Sequence, residues 1–149
     1  MKKIKTIIND DALSIQKIKQ GNIQLEFVEG GISAGFPSPA DDFKNKRISL
    51  DEELVKDINS TYYARVSGES MIGAGLDNDD LLVIDKSIIP RDGKIAVCYV
   101  DGEFTVKRLK ITKECIYLMP ENDNYKPIKV TADKQLHIWG IVTYVIKKV

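Results

Sequence analysis

Two residues carry the chemistry this chain could perform. Ser70 lies in Ser67-Gly68-Glu69-Ser70-Met71, directly after an apolar run, Tyr62-Tyr63-Ala64-Arg65-Val66, that reads as a strand. Glycine tolerates positive φ without steric cost, so Gly68 allows a sharp turn at this point. A serine on such a turn exposes its oxygen while the strand behind it fixes its position. Read more plainly, the same residues form a turn whose hydroxyls bond their own backbone. The second residue is Lys107, in Glu103-Phe104-Thr105-Val106-Lys107-Arg108-Leu109, a strand-like segment that puts Val106 and Leu109 close to the amine. An apolar site disfavours the charged form of a lysine. A neutral amine can take the proton from a serine hydroxyl, the Ser-Lys form of nucleophile activation. The plainer alternative is a solvated strand lysine.

Other chemistries find less support. His137 is the only histidine, so any Ser-His-Asp triad must use it, and it lies in an apolar-rich strand. A metal centre would need a Cys/His cluster, and the spacing offers none. Asp77-Asn78-Asp79-Asp80 lacks the alternating ligands and closing glutamate of a calcium loop and reads as an acidic turn. There is no glycine-rich phosphate loop, and no cofactor is implied.

The elements that must position Ser70 and Lys107 follow from the pattern around them. Asp101-Gly102 suits a two-residue type I′ turn between Ile95–Val100 and Glu103–Lys107. That register sets Val100 opposite Glu103 and Ala96 opposite Lys107. One face then carries Ile95, Val97, Tyr99, Phe104 and Val106 as core. The other carries Ala96, Cys98, Thr105 and Lys107, smaller residues that leave room beside the lysine. Ser49-Leu50-Asp51-Glu52 reads as a capping box opening a short helix to about Asn59, with Leu54, Val55 and Ile58 on one face. Short strands are expected at 23–28, 81–85, 116–119 and 128–130. A long terminal strand spans 136–146, bent or bulged at Gly140. Repeated strands with turn signals and one helix predict a mainly β, antiparallel domain.

The segment Ala34-Gly35-Phe36-Pro37-Ser38-Pro39-Ala40 reads as extended and exposed, a linker or a stretch open to a protease cleft. Before it, residues 1–33 form a leader of mixed character with no clear helical pair, so a helix-turn-helix reader is not expected. The 149 residues, 43% hydrophobic, suffice for one domain with a core. The 22 basic and 22 acidic residues cancel, which speaks against gripping DNA through its phosphates. No apolar run is long enough to cross a bilayer, and the N-terminus lacks a signal-peptide core, so a cytoplasmic location is expected. Cys98 and Cys115 fit a reducing compartment as small buried hydrophobes.

Taken in order, four stretches resemble the LexA/UmuD family of self-cleaving serine peptidases. They are Ala34–Ala40, then Val66-Ser67-Gly68-Glu69-Ser70-Met71, then Asp79–Asp85, then Asp101–Leu109. The resemblance covers roughly Gly35 to the C-terminus. It implies a LexA C-terminal-domain-like antiparallel β fold with one short helix and an extended N-terminal arm. It implies Ser70 as nucleophile, Lys107 as general base, Ala34-Gly35 as the scissile bond, and the backbone amides of Glu69 and Ser70 as oxyanion donors. Residues 1–34 would then be an arm removed by self-cleavage, and residues 35–149 the peptidase and dimerisation domain. The implied setting is the SOS response to DNA damage. A RecA filament on single-stranded DNA would stimulate the cut, and the product would be a homodimer joining a UmuC-like Y-family DNA polymerase for translesion synthesis. Competing readings are a LexA-like or phage repressor, a non-cleaving interaction module of the same fold, and a signal-peptidase-like hydrolase acting in trans.

Overall fold

The computed structural model describes residues 14–19, 21, 23–28, 34–36 and 45–149. They fall into two compact units, one of residues 1–18 and 57–149 and one of residues 19–56.

The larger unit is built on one antiparallel sheet of eight strands. In chain order these are β1 (Ser14–Lys17), β4 (Thr61–Arg65), β5 (Leu81–Asp85), β6 (Ile95–Val100), β7 (Glu103–Ile111), β8 (Ile116–Met119), β9 (Ile128–Val130) and β10 (Leu136–Ile146). Their order across the sheet is β1-β4-β5-β10-β6-β7-β8-β9. In the smaller unit, β2 (Leu25–Val28) pairs antiparallel with β3 (Asn45–Ile48), and α1 (Leu50–Leu54) follows. The mainly β, antiparallel expectation holds.

Alternation along the strands feeds two apolar clusters, as the two-residue period of a pleated strand requires. Ala64, Leu82, Ile84, Val97 and Val106 join Met71 and Leu76 in the first. Ala96, Cys98, Leu109, Leu118 and Ile141 make the second. A sheet covered on both faces explains why β5 and β6 read as nearly continuous apolar runs. The β6–β7 register is the expected one, with Val100 opposite Glu103 and Ala96 opposite Lys107. Its turn residues have φ of 48° at Asp101 and 92° at Gly102, the left-handed pair that a type I′ turn demands.

β10 is central, and it bulges. Its pairing with β6 shifts between Ile138 and Gly140, and its pairing with β5 between Val142 and Tyr144. An added Cβ at Gly140 would lie 2.6 Å from Ile84 Cγ2, so the close approach of β5 excludes a side chain here.

Two expectations need correction. The helix stops at Leu54 rather than near Asn59, and Ser49 makes no side-chain cap. Ser49 is extended (φ −102°, ψ 129°), and Val55, also extended, ends the single turn with its amide on the Asp51 carbonyl. Asp57 then starts a separate turn, accepting from the Asn59 amide and, at its carbonyl, from the Thr61 hydroxyl, which leads straight into β4. Cys98 is buried as expected, but Cys115 is only half-buried, bonded through its amide to the Thr112 hydroxyl in the β7–β8 turn.

Candidate active site

The Ser70 turn leaves β4 still paired. The Val66 amide donates to Asp80 O (2.8 Å) and the Asp79 amide to Val66 O (2.8 Å). At Gly68, φ is 95°, and its amide donates to Asn78 Oδ1 at 2.9 Å. Side chains pin the turn on its far side. Met71 and Leu76 are each 2% exposed, and the Leu76 amide closes back on Met71 O at 3.2 Å. Ser70 is thus held between an ordered turn and a buried methionine.

Lys107 comes from the middle of β7 and is 7% exposed. Its Nζ lies 2.8 Å from Ser70 Oγ, 2.7 Å from Thr105 Oγ1 and 3.0 Å from Val106 O. Nζ is within donating distance of all three acceptors. A serine hydroxyl rotates to suit its partner, so at the same distance a deprotonated Nζ can instead accept the Ser70 proton. Cys98 faces Thr105 across the hairpin. Burial pushes its thiol up to about 12, against the opposing pull of Lys107. The wall beside the amine is therefore neutral on that side.

A third element completes the turn. In the β8–β9 connection, the Glu121 amide donates to Ser70 O at 2.8 Å, and the Gly73 amide returns a bond to Glu121 O at 2.7 Å. Asn122 Nδ2 donates to Glu69 O at 2.9 Å, while Asn122 Oδ1 accepts from the Asn124 amide. Arg108 Nε bonds Glu121 Oε1, anchoring that connection to β7, and Arg108 Nη1 reaches Gly93 O at 2.8 Å. An added Cβ on Gly73 would meet Glu121 O at 2.6 Å, so glycine is what lets the two loops exchange these bonds. With the Glu69 and Ser70 carbonyls both tied to this connection, their planar peptide units are fixed. The Ser70 N–H, on the opposite side of its peptide from Glu69 O, is fixed with them. Among the described residues, no acceptor bonds the Glu69 or Ser70 amide.

These parts line a cleft of about 590 Å³, whose walls include Ser70, Lys107, Thr105, Val66, Phe104 and Tyr125. The remaining expected residues lie elsewhere. His137 is exposed on β10, opposite Tyr99, and does not line the cleft. Ala34, Gly35 and Phe36 are exposed within the 19–56 unit, Phe36 at 92%, and Pro37-Ser38-Pro39-Ala40 lie outside the described residues. The sequence reading put Thr105 on the Lys107 face only as a small residue leaving room, and the structure adds its bond to the amine. Asn122 and Glu121 were given no part in the site. Nothing local marks Asn122, because its partner, Glu69, is 53 residues away. Among the described residues no group of acidic, His and Cys side chains could hold a metal, and no helix is long and apolar enough to cross a membrane.

Residues 26–143 match the Peptidase S24-like family. The chain belongs to that family. It is 40% identical over 115 residues to Protein MucA of Salmonella typhimurium, spanning 76% of this chain and 77% of the relative. Protein ImpA of Shigella flexneri is 39% identical, over 77% of this chain and 78% of its own. The LexA repressor of Alcanivorax borkumensis is 40% identical over 120 residues, which are 80% of this chain and 58% of that protein. Together these place the chain among UmuD-like members of the LexA/UmuD family.

Proposed function

We propose that this chain is a self-cleaving Ser-Lys peptidase that cuts its own Ala34-Gly35 bond and, in the shortened form, takes part in the SOS response. The observation that carries this reading is the 2.8 Å contact between Lys107 Nζ and Ser70 Oγ, with the lysine buried. Burial disfavours the ammonium form, and a neutral amine is what the general-base role needs.

The reaction runs in two halves. Ser70 Oγ attacks the Ala34 carbonyl as its proton passes to Lys107 Nζ. The oxyanion is met by the amides of Glu69 and Ser70, donors that need no reorganisation as charge develops. Collapse breaks the C–N bond, and the Gly35 nitrogen leaves as an amine carrying the proton from Lys107. A water that gives its proton to the again-neutral Lys107 then hydrolyses the Ala34 ester and frees Ser70. Because the substrate is tethered, the rate depends on how often the arm occupies the cleft. A RecA filament on single-stranded DNA stimulates cleavage by favouring that pose, a population shift rather than added chemistry. The product, Gly35 to Val149, is a cytoplasmic homodimer that joins a UmuC-like Y-family polymerase for translesion synthesis. The resemblance to the LexA/UmuD family supports both partners.

The test is intact mass after incubation at pH 10, beside Ser70→Ala and Lys107→Ala. Loss of residues 1–34 from the wild type alone supports the dyad and the bond together. If the wild type stays whole, also with RecA, an ATP analogue and single-stranded DNA, the peptidase reading falls.

A further inference from the structure

β1 belongs to the part of the chain upstream of Ala34-Gly35, yet it is a strand of the main sheet. Ser14–Lys17 closes one edge by pairing with β4, Ser14 opposite Arg65, Ile15 opposite Ala64, Gln16 opposite Tyr63 and Lys17 opposite Tyr62. Ile15 packs on the cluster that contains Ala64, and Ile18 is only 5% exposed. Before the cut this strand is tethered, with an effective concentration of order millimolar. After it, a separate fragment is held by the four β1–β4 pairs with Ile15 and Ile18 and by the four β2–β3 pairs, two short pairings that are each marginal in water.

Resting on the self-cleavage reading for its trigger, we propose that loss of residues 1–34 turns the β4 edge into a strand-docking site. Its occupant is an extended protein segment that repeats the pattern of β1. That pattern is a β-branched apolar residue over Ala64, two polar or basic residues beside Tyr63 and Tyr62, and an apolar residue in the place of Ile18. The edge is suited to this. An uncovered strand presents unpaired N–H and C=O groups that template another strand. Thr61, Tyr62 and Tyr63 are strong strand formers that keep it extended. Arg65, at one end, is held aside by its bond to Asp79 O at 2.8 Å. The opposite edge, β9, is only three residues long and lies wholly downstream of the cut, so cleavage does not change it.

The test is hydrogen exchange read by mass spectrometry over Thr61–Val66. The starting protein is full-length Ser70→Ala, which cannot cut itself. Adding Ile15→Asp and Ile18→Asp should speed exchange there by at least about tenfold while β6 and β7 stay protected. Gln16→Pro, which removes a ladder amide without touching the core, should do the same if the double variant fails to fold. A free peptide of residues 12–20 at about 2 mM should restore protection, and a scrambled peptide should not. Unchanged exchange in Gln16→Pro, or a peptide that restores nothing because the edge has closed on a second copy, overturns the site. Wild type shown by mass to have lost residues 1–34 should exchange like the dislodged variants. If the mass never changes, the trigger falls with the self-cleavage reading, and the variant arms still decide the docking site.

Discussion

Asn122 offers the sharpest perturbation of the Ser70 turn, because its two amide atoms do separate jobs. Oδ1 accepts from the Asn124 amide and shapes the β8–β9 connection, while Nδ2 donates to Glu69 O at 2.9 Å. Asn122→Asp keeps the acceptor and deletes the donor. Losing one neutral hydrogen bond costs about 0.5–1.5 kcal/mol, a factor of about 2–13 in rate if it is felt wholly in the transition state. The aspartate carboxylate also repels the Glu69 carbonyl and turns the peptide, swinging the Ser70 N–H away from the oxyanion. Complete loss of one such donor costs about 2.7–4 kcal/mol. The expected slowing of self-cleavage therefore lies between these limits, about tenfold to a hundredfold. The assay is the first-order rate of loss of residues 1–34 by intact mass at pH 8–10, with a thermal melt alongside. The rate should fall by the same factor at every pH, because the donor is lost and the base is untouched. A rate within twofold of wild type at unchanged melting temperature refutes the role of Asn122. A shifted pH midpoint refutes the assignment of its effect to the oxyanion side.

Further expectations concern the base, the sheet and the acidic turn. Wild-type cleavage should speed up as pH rises, because deprotonating Lys107 creates the base; a flat rate from pH 7 to 10 counts against a lysine base. Gly140→Ala forces a Cβ to 2.6 Å from Ile84 Cγ2 and should destabilise by about 1–3 kcal/mol in denaturant melts. Adding Ile84→Ala should recover part of that loss, and strict additivity of the two changes would refute the clash. Lys147 bonds Asp77 and, at 2.6 Å, Asp80. Burial pushes the Asp80 carboxyl up, but Lys147 and the Asp77 amide outweigh it and hold it below the usual range. Asp77 and Asp80 in turn raise the Lys147 ammonium. A depressed carboxyl stabilises above its unfolded value and a raised amine below its own, so the cluster contributes between about pH 4 and 10.5. Lys147→Met should lower the melting temperature at pH 7 and have little effect at pH 2; an equal loss at both would show that packing, not charge, is what Lys147 supplies.

The parts of this molecule that could be read from the sequence are those whose cause is local. Asp101-Gly102 fixes the β6–β7 register by turn geometry alone, and that register determines what Lys107 faces, so half of the site follows from two residues. β8, β9 and β10 keep their expected bounds because each is an apolar run ended by turn residues. The helix is shorter than expected because Ser49 supplies no side-chain cap and the chain turns extended at Val55, ahead of the Asp57 turn. β1 and β3 were not legible as strands. Ser14-Ile15-Gln16-Lys17 has one apolar residue in four, and its strand character comes from β4, about 50 positions away. The same holds for Asn122 and Glu69. What the sequence conceals is therefore one kind of contact, pairing between distant segments in which neither carries a signal of its own. Two of the contacts it conceals bear on the proposed function: the bond from Asn122 to Glu69 O, and the β1–β4 pairing. Under the self-cleavage proposal, the first sets how well the site works before the cut, and the second sets what the sheet exposes afterwards. Asn122→Asp should therefore slow the appearance of an open β4 edge without changing how open it becomes. If exchange over Thr61–Val66 differs between cut wild type and cut Asn122→Asp, the two ends of the sheet are coupled and this separation is wrong.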